Sequence, residues 1–295
     1  MIDYRYHALS LVAVIFALAL GVLLGVAIGD SNLVSSAKSG IVHNLSGEVQ
    51  DARSQSADLQ AQLGQEQAFA GALYPLAVHT TLGGRNIGVA FLGEPSDQVN
   101  ALARNVVAQA GGSVATVVAV QEPLDLAGLA RAAAGTHYAG LASSPALLER
   151  FGAIIGHELV SGGPLLGRAL LSRVRPILLS AFDGQLGRLQ GLIVMRAEPR
   201  GMNAAQTEAA AAFEKGLLAG VSAAGVPAVG VELTGTRPSQ VPWYEGMRIT
   251  SVDDLDTPAG AVALAYGLAG YQGAFGVKPT ADSLLPSPTG AAPTP

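Results

Sequence analysis

An uninterrupted apolar segment near the N-terminus constrains this chain more than any other feature. Residues 8–28 carry no charged side chain, and all but Ser10 are Leu, Val, Ile, Phe, Ala or Gly. At ~1.5 Å per residue, a helix of this length extends ~31 Å, which matches the hydrocarbon thickness of a bilayer. Every face of this helix is apolar, whereas a surface helix of a soluble domain keeps a polar face. Residues 1–29 are therefore predicted to be a membrane anchor, and the lipid bilayer is the first predicted partner.

The flanking residues indicate how the anchor is used. A cleaved signal peptide stays open as an alternative, because residues 25–27 resemble a cleavage site, although a signal peptide usually has an apolar core of only ~7–15 residues. Arg5 precedes the segment, Asp30 follows it, and Lys38 is the first cation beyond it. Cations favour the cytoplasmic side. We therefore predict a single-pass protein of the cytoplasmic membrane, with its N-terminus inside and residues 30–295 outside.

Small residues recur at every fourth position of the apolar segment. This small-residue stripe consists of Ala13, Ala17, Gly21, Gly25 and Gly29. A spacing of four places these residues on one helix face, where they allow two helices in lipid to approach closely. The stripe predicts self-association, although Ala and Gly are frequent throughout the chain and composition alone can produce such a spacing.

Residues 30–75 are more polar and predict a helical stalk. Apolar side chains alternate at spacings of four and three, interrupted by Ser56 and Glu66. The apolar seam includes Leu45, Val49, Leu59 and Leu63. A sustained heptad pattern is typical of a coiled coil, so stalk and anchor both predict a parallel homodimer or higher oligomer. The alternative is a single amphipathic helix that packs on the rest of the chain. Pro75 is expected to end the helix, because proline disfavours helical backbone at the preceding residue.

Residues 76–285 alternate apolar, β-branched runs with helical patterns. Strands are predicted at residues 86–92, 113–120, 190–195 and 227–233, and helices at 97–110, 125–134, 144–157, 203–224 and 257–269. Asn203 and Thr257 are predicted N-caps. This alternation is typical of an open, mostly parallel α/β sheet, which we predict for the extracytoplasmic domain. Residues 286–295 are rich in Pro, Ala and Thr and predict a disordered tail.

Composition excludes several kinds of chemistry. The chain has no cysteine, which removes disulfides, thiolate catalysis and thiolate metal sites. The net charge is −5 and there is no basic stretch, so nucleic acid is not a predicted partner. The sequence contains neither a Gly-x-Ser-x-Gly elbow nor a Walker or His-Glu-x-x-His motif. We therefore predict no enzymatic activity and no cofactor.

Three short motifs stand out along the chain: the opening IDYRYH of residues 2–7, SLVAV of residues 10–14 and SVDDLDT of residues 251–257. They resemble motifs of the MctB family of mycobacterial envelope proteins. The resemblance extends along nearly the whole chain and implies an envelope protein with a role in copper transport and homeostasis. It also implies a partner among envelope or cell-division proteins that control peptidoglycan hydrolases. The alternative that it raises is a pore or transporter component for copper efflux, located in the outer membrane. It supplies no catalytic residues.

The residue types do not favour a copper site. Copper(I) prefers thiolate and thioether ligands, and cysteine is absent. The methionines and histidines are dispersed, at Met1, Met195, Met202, Met247, His7, His43, His79, His137 and His157. No two histidines are spaced i,i+2 or i,i+4, so we predict no metal site and an indirect role in copper homeostasis.

Three other segments carry candidate chemistry. Asp253, Asp254 and Asp256 either bind a hard cation or support the following helix cap, and we favour the cap. The turn at residues 93–97 follows a strand, where α/β folds bind ligands, but it lacks a phosphate-binding glycine motif.

The pair Trp243 and Tyr244 contains the only tryptophan of the chain. It belongs either to the core or to an exposed partner contact, since buried interface anchors are often aromatic. We take both residues as candidate partner contacts.

Overall fold

The N-terminal part of the chain is helical. A computed structural model describes residues 4–29, 31–162, 165–197 and 200–287. Helix α1 spans Tyr4–Ile28 and helix α2 spans Ser31–Val78. The chain divides into two compact units, Met1–Gln67 and Ala68–Pro295, so the division falls within the predicted stalk. Most of the predicted disordered tail, residues 288–295, lies outside the described residues.

Helix α2 continues past Pro75, and the prediction that it ends there was wrong. Proline removes one hydrogen bond to the carbonyl four residues earlier, which costs least near a helix terminus. In the same turn, Val78 is fully buried and Tyr74 packs against the same apolar cluster. Burial of this last turn compensates for the missing hydrogen bond.

A seven-stranded sheet forms the centre of the second unit. Its strands are β1 (Asn86–Leu92), β2 (Ser113–Val120), β3 (Leu179–Gly184), β4 (Gly191–Arg196), β5 (Ala228–Val231), β6 (Thr250–Val252) and β7 (Ala274–Phe275). The order across the sheet is β3-β2-β1-β4-β5-β6-β7. Only β3 is antiparallel to its neighbour, and the other neighbouring strands are parallel. The predicted mostly parallel α/β sheet is confirmed.

Helices cover both faces of this sheet. They are α3 (Asp97–Gln109), α4 (Leu126–Ala132), α5 (Pro145–Ser161), α6 (Leu165–Leu178), α7 (Ala204–Ala223), α8 (Val241–Gly246) and α9 (Pro258–Ala269). Val89 and Phe91 of β1 join a buried cluster with α3 and α9. Ala90 and Leu92, which point the other way, join a second cluster with α5 and α7. Because both faces are buried, β1 is apolar at consecutive positions.

Both predicted N-caps are confirmed. The Asn203 side chain accepts a hydrogen bond from the Gln206 amide, and the Gln206 side chain accepts one from the Asn203 amide, both at 2.9 Å. The Thr257 hydroxyl accepts from the Gly260 amide at 3.0 Å. Each cap satisfies an amide that has no carbonyl partner within its helix, which fixes where α7 and α9 begin.

Helices α5 and α7 pack unusually closely because both carry paired glycines. Gly152 and Gly156 lie on α5, and Gly216 and Gly220 lie on α7. A Cβ atom at any of the four would collide with a backbone carbonyl of the opposite helix. The absence of side chains at these positions lets the two backbones touch and positions α7 over the sheet.

The segment after β7 is tied to the rest of the unit by a buried ion pair. The Lys278 ammonium donates to Glu232 Oε1 at 2.6 Å, and also to the carbonyls of Leu233 and Thr236 at 3.0 and 3.2 Å. The side chains of Lys278 and Glu232 are only 6% and 2% exposed. A buried charge pair needs such additional hydrogen bonds to offset its desolvation.

The three aspartates after β6 have structural partners. Asp253 accepts hydrogen bonds from the amides of residues 277–278 at 2.9 and 3.1 Å. Asp254 accepts from the hydroxyl of the α9 cap at 2.8 Å, and Asp256 accepts from the Thr234 amide at 2.8 Å. These contacts favour the capping and loop role over a cation site.

Candidate functional site

The small-residue stripe lies along α1, except for Gly29, which follows it. A Cβ atom added to Gly21 or Gly25 would meet no atom within 4 Å, so both positions are open to a neighbouring helix. Among the described helices, only Tyr6–Ile28 is long and apolar enough to cross a membrane. The described part of the chain therefore contains one candidate membrane anchor.

The apolar seam of the stalk is exposed on α2. Leu45 and Leu63 each expose 58% of their surface, Leu59 exposes 57% and Val49 exposes 42%. These values are high for side chains that a heptad pattern places on one face. The seam is therefore a candidate contact surface, and association through it stays a prediction.

Tyr244 is inaccessible to a partner, which corrects its assignment as a partner contact. Its ring is fully buried, and its hydroxyl donates to the Val231 carbonyl at 3.1 Å and accepts from the Arg196 amide at 3.0 Å. A buried tyrosine usually finds such partners for its hydroxyl. Trp243 is half-buried and stays a candidate partner contact.

A cleft opens at the carboxyl edge of the sheet, between β1 and β4. The chain leaves β1 towards α3 on one face and leaves β4 towards α7 on the other. Doubly wound α/β folds bind ligands where neighbouring strands diverge in this way. The cleft has a volume of about 490 Å³. It is lined by Gly93, Glu94, Glu122, Met195, Arg196, Ala197, Arg200, Met202, Gly235, Thr236, Arg237, Pro238 and Gln240.

The start of α3 is a poor phosphate site, although the turn before it reaches the cleft. The Ser96 hydroxyl accepts from the Val99 amide at 3.3 Å, so the cap is already occupied. Glu94 and Asp97 place carboxylates near the helix N-terminus, where they interact with its dipole and repel another anion. This geometry argues against a nucleotide bound in the manner of dinucleotide folds.

Arg196, the last residue of β4, is the most firmly held cation of the cleft. Its Nε lies 3.0 and 3.1 Å from the two carboxylate oxygens of Glu214 on α7, and its Nη1 donates to Gln240 Oε1 at 2.8 Å. Its guanidinium carbon lies 4.8 Å from the centre of the Trp243 ring. The side chain is only 12% exposed. The backbone amide of Arg196 also donates to the Tyr244 hydroxyl, so four neighbours hold this residue in place.

Glu122, just beyond β2, is the unusual acid of the cleft. Its Oε1 is buried and has no hydrogen-bond partner among the described residues. Burial, followed by the Glu214 carboxylate, raises the pKa of Glu122 to about 8, while Arg196 opposes the rise. Burial also raises the pKa of Glu214, but the Arg196 guanidinium in direct contact lowers it. We therefore place the proton on Glu122, which is mostly a neutral acid at pH 7.

Two further arginines enter the cleft from the loops after β4 and β5. Arg200 and Arg237 are both exposed. Neither forms an ion pair with another described residue. Arg237 has one described hydrogen bond, a long one of 3.4 Å to the Thr236 carbonyl. Their charges are therefore available to a ligand.

Sequence reasoning identified the turn at residues 93–97 but missed the charged residues of the cleft. Glu122 and Arg196 lie just beyond the ends of predicted strands. This position is the sequence signal that could have placed them in the cleft. Nothing in the sequence indicated that Glu214, in the middle of a long helix, faces both of them.

The structure also brings together two methionines that the sequence left dispersed. Met195 and Met202 both line the cleft. Within the described parts of the chain, no group of three or more His, Asp or Glu side chains is placed to hold a metal ion. Two thioethers in a cleft with the unpaired guanidinium groups of Arg200 and Arg237 form an unfavourable environment for a cuprous ion, because like charges repel.

Comparison with known proteins identifies the family. The family described as "Copper transport outer membrane protein, MctB" matches residues 1–286. The copper transporters MctB of Mycobacterium tuberculosis and Mycobacterium bovis are 30% identical to the chain over 177 residues. That stretch covers 60% of this chain and 55% of each relative, so the match spans little more than half the length of the relatives. Because the family match extends over nearly all of the sequence, this chain belongs to the MctB family of copper transport proteins.

Proposed function

We propose that the chain is a membrane-anchored, non-enzymatic envelope protein that acts in copper homeostasis as an oligomeric partner-binding scaffold. The copper role rests on the family description and on the name of the mycobacterial relatives. The apolar span of α1 supports the anchor. An indirect role suits a chain without cysteine, in which Met195 and Met202 line the same cleft as several arginines.

The exposed apolar seam on α2 is the observation that carries this proposal. Burial of one Leu side chain contributes about 1.5–3 kcal/mol, so Leu45, Leu59 and Leu63 together offset a substantial part of the entropy lost on association. The adjacent stripe on α1 favours close approach of two anchors in the same parallel arrangement. We infer a parallel coiled coil of at least two chains.

A change in the seam tests the oligomer. Leu59→Asp places like charges in contact within the seam and should convert the full-length chain in detergent from oligomer to monomer. Ala61→Asp is the matched control, because position 61 points away from the seam and its residue is exposed. Light scattering after size-exclusion chromatography gives the mass of the protein component. A monomeric wild type, or equal behaviour of the two variants, contradicts the coiled coil.

The proposal also includes the orientation of the chain in the membrane and the class of its protein partner. Arg5 before the span favours an N-terminus inside the cytoplasmic membrane and an extracytoplasmic α/β unit. The family resemblance suggests a partner among envelope or cell-division proteins that control peptidoglycan hydrolases. The half-buried Trp243 is the aromatic residue that we propose for this contact. Crosslinking in cells with a photoreactive residue at position 243 should capture that partner, whereas the same residue at the exposed position 188 should not.

A pore or transporter component is the second candidate, because the family description places its members in the outer membrane. Envelope fractionation distinguishes the two candidates. Recovery of the chain with the inner membrane supports the anchored scaffold, and recovery with the outer membrane supports the pore.

A further inference from the structure

The cleft presents two cations whose charge is not neutralised within the described chain. Arg200 and Arg237 follow β4 and β5, which are neighbouring parallel strands, so their loops meet at one edge of the sheet. Arg196 differs from them, because Glu214 neutralises it at 3.0 Å. Guanidinium groups bind carboxylates through paired hydrogen bonds. The free cations of the cleft therefore suit an anion.

Glu122 adds a carboxyl group whose charge depends on pH. Its Oε1 atom is buried, and its proton is shared with the neighbouring Glu214 carboxylate, so below its pKa of about 8 it brings no negative charge to the cleft. The charged groups that face it are Glu214 from α7 and Arg196 from β4. Glu94, from the loop after β1, lines the same cleft. Neutral Glu122 therefore leaves the positive charge of the two arginines uncompensated, whereas ionised Glu122 would repel an anion.

The rest of the lining selects the kind of anion. Inorganic phosphate would occupy only a small part of about 490 Å³, a volume typical of sites for small organic molecules. Met195 and Met202 supply apolar, adaptable surface for a hydrocarbon chain. A metal cation would be repelled by Arg200 and Arg237.

We propose that this cleft is a binding site for a small organic dicarboxylate, whose carboxylates contact Arg200 and Arg237. Met195 and Met202 contact the carbon chain of the ligand. The site is independent of the oligomer and of the role in copper homeostasis.

The single tryptophan makes binding directly observable. Trp243 lies against the guanidinium of Arg196, which lines the cleft, so a ligand that enters should change its emission. The full-length chain in detergent is titrated with succinate or glutarate, and calorimetry confirms the stoichiometry. Succinamide, which has the same length without charge, and inorganic phosphate are the comparison probes. Saturable binding of a dicarboxylate that neither comparison probe matches supports the proposal.

Arginine variants localise the binding. Arg200→Gln and Arg237→Gln should each weaken succinate or glutarate binding about tenfold or more, because each removes a charge-assisted hydrogen bond. Arg188→Gln is the matched control, since Arg188 is exposed and lines a different cavity at the amino edge of the sheet. Equal affinity in all three variants overturns the assignment, as does the absence of any dicarboxylate binding to the wild type.

The pH dependence tests whether the charge of Glu122 affects ligand binding. With a pKa of about 8 for Glu122, wild-type affinity should fall about tenfold between pH 7 and pH 9, because ionised Glu122 repels the ligand. Both dicarboxylates stay fully ionised throughout this range. Glu122→Gln stays uncharged at every pH and should bind with an affinity that no longer changes with pH. An unchanged pH dependence in this variant contradicts the role of Glu122.

Discussion

At the scale of single residues, one buried site holds a charged arginine and an uncharged acid side by side. Arg196 has Glu214, Gln240 and Trp243 as neighbours, whereas Glu122 has no described hydrogen-bond partner for Oε1. Two carboxylates near one guanidinium cannot both ionise cheaply in a poorly solvated site. The consequence is that the protonation of Glu122 contributes to the stability of the fold.

Glu122→Gln should make stability less dependent on pH. Because the folded state raises the pKa of Glu122 from 4.5 to about 8, the contribution of its proton is complete below pH 4.5 and is lost as pH rises through 8. Within this window the wild type should lose at most about 1.4 kcal/mol per pH unit through this group, and the variant should lose none of that part. Urea unfolding of the full-length chain at pH 6, 7.5 and 9 measures the difference.

Glu94→Gln is the control for this experiment, since Glu94 lines the same cleft but is exposed. The unfolding free energy of Glu94→Gln should change with pH by the same amount as that of the wild type. If Glu122→Gln also shows the wild-type change with pH, Glu122 is not protonated in the folded state.

The charged residues of the cleft were only partly predictable from sequence. Glu122 and Arg196 could be placed near strand ends, because the strands before them are continuous apolar runs. Glu122 and Arg196 come close together because β1 pairs in parallel with both β2 and β4. No short stretch of sequence indicates this strand order. For Tyr244 the sequence left core packing and partner contact open, because an aromatic side chain after proline looks the same in sequence whether its hydroxyl is buried or exposed.

At the scale of elements, the contact between α5 and α7 depends on the absence of side chains. Gly216→Ala would bring a Cβ atom against the Glu149 carbonyl oxygen and to 3.0 Å from the Glu149 Cα atom. Backbone atoms cannot rotate away, so the helices would have to separate. We expect a loss of about 1–3 kcal/mol or more, the usual cost of overpacking.

Gly71→Ala in α2 is the matched change, because a Cβ atom there meets nothing within 4 Å. It should stabilise its helix by about 0.5–1 kcal/mol, since Ala loses less conformational freedom than Gly on folding. Thermal unfolding followed by circular dichroism should show a lower melting temperature for Gly216→Ala and a higher one for Gly71→Ala, each relative to the wild type. A neutral Gly216→Ala would mean that the two helices can separate without cost.

Most elements were predicted, but one long helix was missed together with the shortest strands. Helix α6 has 14 residues and no counterpart among the predicted helices. The predictions for β1, β2, α3, α7 and α9 came within a few residues of the observed bounds, because each combines a clear period with a cap or a turn. Strands β6 and β7 have only three and two residues, too few to show alternation. Strand β3 lies at the edge of the sheet and is largely exposed, so it lacks the apolar run of a buried strand.

At the scale of the whole molecule, the apolar helix α1 is the candidate membrane anchor. Leu18 lies at the middle of the charge-free segment, and its replacement by Arg should raise the apparent free energy of insertion by about 2.5–3.5 kcal/mol. A glycosylation-based insertion assay measures this change, with Leu18→Ile as the control. Equal insertion of the two variants would show that α1 is not a membrane span.

The tie between Lys278 and Glu232 also sets a practical limit on shortening the chain. A fragment that ends at residue 277 loses the ammonium group but keeps the Glu232 carboxylate buried beside Ser239 and the Gln240 amide. Removing one partner of a buried pair typically costs about 3–5 kcal/mol. Such a fragment should be a protease substrate in cells, whereas tags or fusions that begin after residue 287 leave the fold intact.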